Sequence, residues 1–234
     1  MIEVLYSDAQ ILAVNKPPDL RVIPDGYDPS LPYLSALLAP ELGRLWVVHR
    51  LDRDTSGVVL LARSAEAHRA LSLAFENRET RKIYHALVCG KPEQAQWTCD
   101  LPLRIDADRR HRTLPDPLHG KPARTDFQVL NRFPEVALIE ARPHTGYTHQ
   151  IRAHLAAARL PLLADPLYWI PGLPAPSPLQ SHSGLIGRTA LHHLEITFPH
   201  PATSVPTQIQ AGYPTDFQLA LKTLEDRAGD SLSQ

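Results

Sequence analysis

The chain is poor in several things that would have narrowed its class at once. It has two cysteines, Cys89 and Cys99, in 234 residues, and their spacing fits neither a metal knuckle nor a disulfide framework. No stretch approaches the ~18 consecutive apolar residues that a membrane-spanning helix needs. The first residues, Met1-Ile2-Glu3-Val4-Leu5, lack a basic segment followed by an apolar one, so no signal peptide is expected. These absences point to a cytoplasmic protein with free thiols. No internal repeat or interior linker is visible, and one domain of residues 1–234 is expected. A strong net charge is also missing. The formal value is −1, which taken alone argues against a nucleic-acid partner.

The distribution of charge softens that argument. Of the 24 basic residues, 19 are arginine and only five are lysine. Arginine is the side chain suited to bidentate phosphate contacts and to stacking on bases. From Asp216 onward there are four acids and two bases, a net of −2, which leaves about +1 for the rest. At 43% hydrophobic and 21% charged, the chain can bury a proper core.

One stretch organises the reading: His49-Arg50-Leu51-Asp52-Arg53-Asp54-Thr55-Ser56-Gly57. Apolar runs at 45–48 and 58–62 lead into and out of it and read as buried strands. Polar groups pressed between buried strands must be paired or they cost several kcal/mol. A cluster of this kind is kept more often for chemistry than for packing.

The remaining elements follow from local signals. Residues 10–16 read as a strand closed by Pro17-Pro18, and residues 32–42 as a short helix ending at Gly43. Ser64 is a candidate N-cap for a helix whose apolar stripe is Ala67, Ala70, Leu71, Ala74 and Phe75. Residues 82–89 alternate as a strand, 124–131 and 135–142 form a hairpin, and 189–198 is the last strong strand. The charged run 104–112 reads as a solvated loop. A helix capped at or near Thr148 carries Ile151, Leu155 and Ala158 on one face, with Arg152 at its margin. Such an arginine snorkels to water or reaches inward to a carboxylate. Residues 171–187 form a Pro-rich surface loop, and a short helix starts the 219–234 tail. The fold class is α+β, with a mixed, largely antiparallel central sheet flanked by helices, because the 124–142 hairpin is too tightly joined for a parallel crossover.

Four motifs then line up. Residues 11–24 hold Val14-Asn15-Lys16-Pro17. The central stretch follows, then Lys82-x-Tyr84-x-Ala86-x-Val88-x-Gly90, then Thr145-Gly146-x-Thr148-His149-Gln150-Ile151-Arg152-x-His154, with Asp165-x-x-Tyr168 behind it. In this order and spacing the chain resembles the RluA family of pseudouridine synthases along nearly its whole length. It is similar to the shorter branch, without the small S4-type RNA-binding domain that many relatives carry.

The resemblance implies an isomerase that flips a uridine out of rRNA or tRNA and needs neither cofactor nor metal, working in a cleft across the sheet. It places the essential aspartate at Asp52, the aromatic of the pocket at Tyr84 and the arginine that pairs with the aspartate at Arg152. Substrate contacts fall to Arg50, Thr55 and His149. A monomer acting on RNA, away from any membrane, is expected. The chain departs from the family at Tyr147, where arginine is usual.

Two rival readings remain. A non-catalytic RNA-binding protein would keep the basic and aromatic surface without needing Asp52. A Mg-dependent phosphatase of the haloacid-dehalogenase type would use Asp52 and Asp54, but the chain has no later Asp-Asp pair. A histidine metal site is disfavoured too, since His144, His149 and His154 stand five apart and miss helical ligand spacing.

Overall fold

A computed structural model describes residues 2–170 and 184–231. In chain order the elements are β1 (Glu3–Ser7), β2 (Ile11–Lys16), α1 (Leu34–Leu42), β3 (Trp46–Val47), β4 (Ser56–Ala62), α2 (Ala65–Glu76), β5 (Arg81–Cys89), β6 (Gln96–Cys99), β7 (Leu103–Arg104), β8 (Leu114–Pro115), β9 (Thr125–Arg132), β10 (Val136–Pro143), α3 (Gln150–Ala157), β11 (Leu191–Pro199), β12 (Pro206–Gln210) and α4 (Thr215–Ser231). The chain divides into two compact units, each made of two stretches: Met1–Ile83 with His192–Gly212, and Tyr84–Leu191 with Tyr213–Gln234.

In the first unit β4 is the spine. All seven of its residues are buried, as expected of a Val/Leu-rich run covered on both faces. β2 pairs antiparallel along its whole length, from Ile11 opposite Ala62 to Lys16 opposite Gly57. β1 lies antiparallel outside β2. His192 and His193, at the start of β11, pair in parallel with Ser56 and Gly57, and β12 returns antiparallel to β11. The parallel pairing requires glycine. Gly57 has φ +115°, and a Cβ there would lie 2.7 Å from the carbonyl carbon and amide nitrogen of His193. Ser64 caps α2 as expected, its Oγ accepting from the Ala67 amide at 3.1 Å. Ala67 and Leu71 of α2 pack with Ile11, Val58, Leu60 and Phe198 into the unit's core.

In the second unit the hairpin β9–β10 holds the centre, with a register irregularity between Leu138 and Ile139. Tyr84–Cys89 of β5 pairs antiparallel with β10, and β6 with β9. Ile151 and Leu155 of α3 close a core with Ala86, Val88, Ile139 and Leu162. Phe217, Ala220 and Leu224 of α4 pack with Leu87, Val136 and Leu163.

The fold is α+β with a mixed, mostly antiparallel set of strands, as the sequence implied. Several boundaries differ from expectation. The run 45–48 gives only the two half-buried residues of β3. α3 begins at Gln150, so the cap expected at or near Thr148 falls on His149, which is in the left-handed conformation with φ +57° and has no side-chain cap. α4 starts at Thr215, four residues before the expected 219. The amides of Phe217 and Gln218 bond the Pro214 carbonyl, so the proline opens the helix. Residues 171–183 of the expected Pro-rich loop lie outside the described residues. The charged run 104–112 joins β7 to β8, and its charges are largely paired locally: Arg112 with Asp108, His111 with Asp106, Arg104 with Asp116. Among the described residues, no helix is long and apolar enough to cross a membrane.

Candidate active site

The loop between β3 and β4 carries Arg50, Asp52 and Thr55 and belongs to the first unit. Asp52 is half-buried, Arg50 is exposed and Thr55 is buried. The loop closes on itself through the Thr55 amide, which donates to the Asp52 carbonyl at 3.1 Å. Lys16, with no exposed surface, holds it from below. Its ammonium donates to the carbonyls of Pro17 and Leu20 at 2.8 Å each and of Arg53 at 3.0 Å. Three donors meet three acceptors, which is how a buried ammonium becomes tolerable. Arg53 is pinned on the outside by Asp19 at 2.6 Å.

Behind the loop lies a group of buried bases, three of which burial pushes below their ordinary pKa. His49 stacks on Phe75, meets His193 edge-on and accepts the Leu60 amide at Nε2, 2.9 Å away. Desolvation, with Lys82 nearby as a lesser cause, holds His49 down to about 3. His193 is driven well below its ordinary value, first by burial and then by His49, while its Nδ1 donates to the Val58 carbonyl at 2.7 Å. Burial pushes the Lys82 amine down to about 8. Ser56 and His192 form a further buried pair at 2.9 Å, with His192 Nε2 donating to the Ala211 carbonyl. These groups fix the entry into β4.

In the second unit, Tyr84 lies half-buried on β5, opposite Ala141 of β10, and packs on the cluster around Ala86 and Ile139. Arg152 does not snorkel. It is 6% exposed, and its Nε and Nη2 clasp the two oxygens of Asp165 at 2.7 and 2.8 Å. Its guanidinium carbon sits 5.0 Å from the centroid of the Tyr168 ring. His149 shares that ring edge-on and meets the Tyr168 hydroxyl at 3.1 Å. Arg152 and His149 are thus brought together by Tyr168.

The turn before α3 is fixed by Gln150, which is 4% exposed. Its Oε1 accepts from the Thr145 hydroxyl and the Tyr147 amide. Its Nε2 donates to the Arg124 carbonyl and the Thr125 hydroxyl. Tyr147, where the family resemblance leads one to expect arginine, packs its ring against the cluster of Leu103, Ala123, Ala153 and Tyr168 and offers no cation.

Sequence reasoning missed the roles of Lys16, Gln150, Asp165 and Tyr168. All four lie inside the matched motifs, so a signal existed. What it did not contain was which side chain faces which.

Comparison with known proteins agrees with the motifs. The family described as RNA pseudouridylate synthase matches residues 10–157. An uncharacterized RNA pseudouridine synthase of Chloroflexus aurantiacus is 39% identical over 223 residues, covering 92% of this chain and 66% of that protein. A ribosomal large subunit pseudouridine synthase D of Pasteurella multocida is 32% identical over 234 residues, covering 96% of this chain and 71% of that protein. The chain therefore spans about two thirds of the length of these relatives. Among solved structures, human RNA pseudouridylate synthase domain containing 4 matches with a TM-score of 0.78 at 25% identity, over 95% of this chain and 93% of that one. The chain belongs to the RNA pseudouridylate synthase family, in its RluA branch. The haloacid-dehalogenase alternative finds no support in these relatives.

Proposed function

We propose that the chain converts specific uridines of ribosomal RNA to pseudouridine, with Asp52 as the essential group. The N1–C1′ bond of the uridine breaks, the uracil turns, and C5 bonds to C1′ while its hydrogen leaves as a proton and N1 gains one. Atoms balance within the nucleotide and water. The observation that carries the reading is the Asp52 loop itself: a half-buried carboxylate on a loop tied to a fully buried lysine, within a chain of this family. Such anchoring is what a preorganised catalytic carboxylate requires.

In this reading Asp52 attacks the sugar or base, or stabilises the electron-poor intermediate. Arg152 supplies the cation that the family resemblance assigns to the reaction, its guanidinium held by both oxygens of Asp165. Tyr84 holds the detached ring and takes part in moving the C5 proton. Extruding the base costs a few kcal/mol, offset by side chains such as Arg50 that fill its place in the RNA. Thr55 and His149 contact the substrate. Transfer RNA is the alternative substrate class, and action as a monomer and a cytoplasmic location complete the proposal.

The test is to incubate the wild-type protein and Asp52→Asn with transcribed ribosomal RNA and to map pseudouridines. Wild type should create defined sites, and the variant should create none while still binding RNA. A wild-type protein that binds RNA and leaves every uridine unchanged would favour the non-catalytic reading.

A further inference from the structure

Tyr168 is 4% exposed, and its hydroxyl meets Thr113 and His149 from different parts of the chain. The Thr113 amide donates to it at 2.7 Å, so the phenolic oxygen acts as an acceptor on that side. His149 Nδ1 lies 3.1 Å away on another. The ring beneath carries the Arg152 guanidinium on its face at 5.0 Å and His149 edge-on, with 5.6 Å between ring centroids. The backbone is bound in as well: the Leu167 and Tyr168 amides donate to Asp165 Oδ1 at 2.9 and 3.2 Å, and the same carboxylate clasps Arg152. His149 is held at φ +57°, in the left-handed region.

We infer that Tyr168 is a positioning residue that acts on two site groups at once: its hydroxyl gives its proton to His149 Nδ1, fixing His149 as the Nε2–H tautomer, and its ring sets the plane of Arg152. In this arrangement the phenolic oxygen accepts from the Thr113 amide on one side and sends its own proton to the imidazole on the other. His149 then presents a hydrogen-bond donor at Nε2, which suits a uracil carbonyl or a phosphate oxygen of the RNA. Arg152, sandwiched between the Tyr168 face and the Asp165 carboxylate, cannot rotate about its terminal bond. The inference deepens the proposed function and rests on it for the identity of the ligand, but the proton assignment stands apart from it.

The experiment uses the full chain labelled with ¹⁵N-histidine, as wild type and as Tyr168→Phe, which removes the hydroxyl and keeps the ring. Ring-nitrogen spectra report the tautomer of His149, assigned by its loss in His149→Asn. Wild type should show Nε2–H, and Tyr168→Phe a mixture of tautomers. With a validated RNA substrate, kcat of Tyr168→Phe should fall about tenfold, with KM within about twofold. Since His149→Asn removes the acceptor, the double variant should lose no more than the larger single loss. An Nδ1–H tautomer in wild type, an unchanged tautomer in Tyr168→Phe, an unchanged kcat or additive losses would each overturn the inference. Should Tyr168→Phe fail to fold, the wild-type tautomer and the kcat of His149→Asn decide, and an unaltered kcat there overturns it. Failure of the wild type to isomerise any uridine would sink the proposed function and leave the spectroscopic result in place.

Discussion

The ammonium of Lys16 lies 3.0 Å from the carbonyl oxygen of Arg53, and this bond ties the end of β2 to the loop that carries Asp52. The same nitrogen holds the Pro17 and Leu20 carbonyls. Methionine would match the length of the chain but leave those carbonyls without their donor. Lys16→Met is expected to lose about 3 kcal/mol of stability, the scale for breaking a buried charged hydrogen-bond set. Urea unfolding followed by circular dichroism measures it. A loss within ~0.5 kcal/mol would show that water or backbone shifts replace the ammonium.

Gly57 should tolerate no side chain. Its φ of +115° is unfavourable for L residues, and a methyl would enter the backbone of His193, its parallel partner. Both strands are buried there, so neither has room to withdraw. Gly57→Ala is expected to cost about 4 kcal/mol or more, the range reserved for strain in a core. A thermal unfolding midpoint within a few degrees of wild type would contradict this.

Acid should weaken the first unit well before its carboxylates titrate. His49 sits at about 3 in the folded chain against 6.5 when free, with burial the main cause, and His193 is shifted the same way. Between those values the unfolded chain takes up protons that the folded one refuses. The stability these neutral histidines support is therefore fully present above about pH 6.5. It declines as the pH falls toward 3, by up to about 1.4 kcal/mol per pH unit for each such group. His49→Phe should flatten the slope of stability between pH 6 and 4. An unchanged slope would show that His49 does not carry it.

Much of this was legible beforehand, and the exceptions have physical causes. β4 and the Ser64 cap follow from runs and residue types that act locally. The cap of α3 was legible to within one residue, but the left-handed conformation of His149 and its contact with Tyr168, nineteen residues on, were not. Arg152 lay at the margin of an apolar stripe, where periodicity allows either water or an inward partner. Asp165, thirteen residues on, decides the matter, and no periodicity reports such a pairing. α4 begins four residues before the expected 219, because the Pro214 carbonyl receives the amides of Phe217 and Gln218. β12, opening on Pro206, has weak strand signals of its own and exists because β11 offers it an edge.

Gln150 offers the sharpest separation of turn geometry from chemistry. Its amide group makes four bonds, two as acceptor and two as donor. The Thr125 hydroxyl that it donates to also meets His154 Nδ1, and His154 Nε2 donates to the Leu101 carbonyl. This chain assigns every proton: His154 carries its hydrogen on Nε2, so Thr125 donates to Nδ1 and must accept from Gln150. Glutamate is nearly the same shape but cannot donate. Gln150→Glu would set a carboxylate against the Arg124 carbonyl and the Thr125 oxygen in a site closed to water. The expected cost is about 2–4 kcal/mol, larger than for Gln150→Leu, where the unmatched groups are left without an added charge. Stability of the glutamate variant should also recover as the pH is lowered through the carboxylate range, since a protonated carboxyl can donate once more. Equal losses for the two variants, or no recovery in acid, would show that the proton assignment in this turn is wrong.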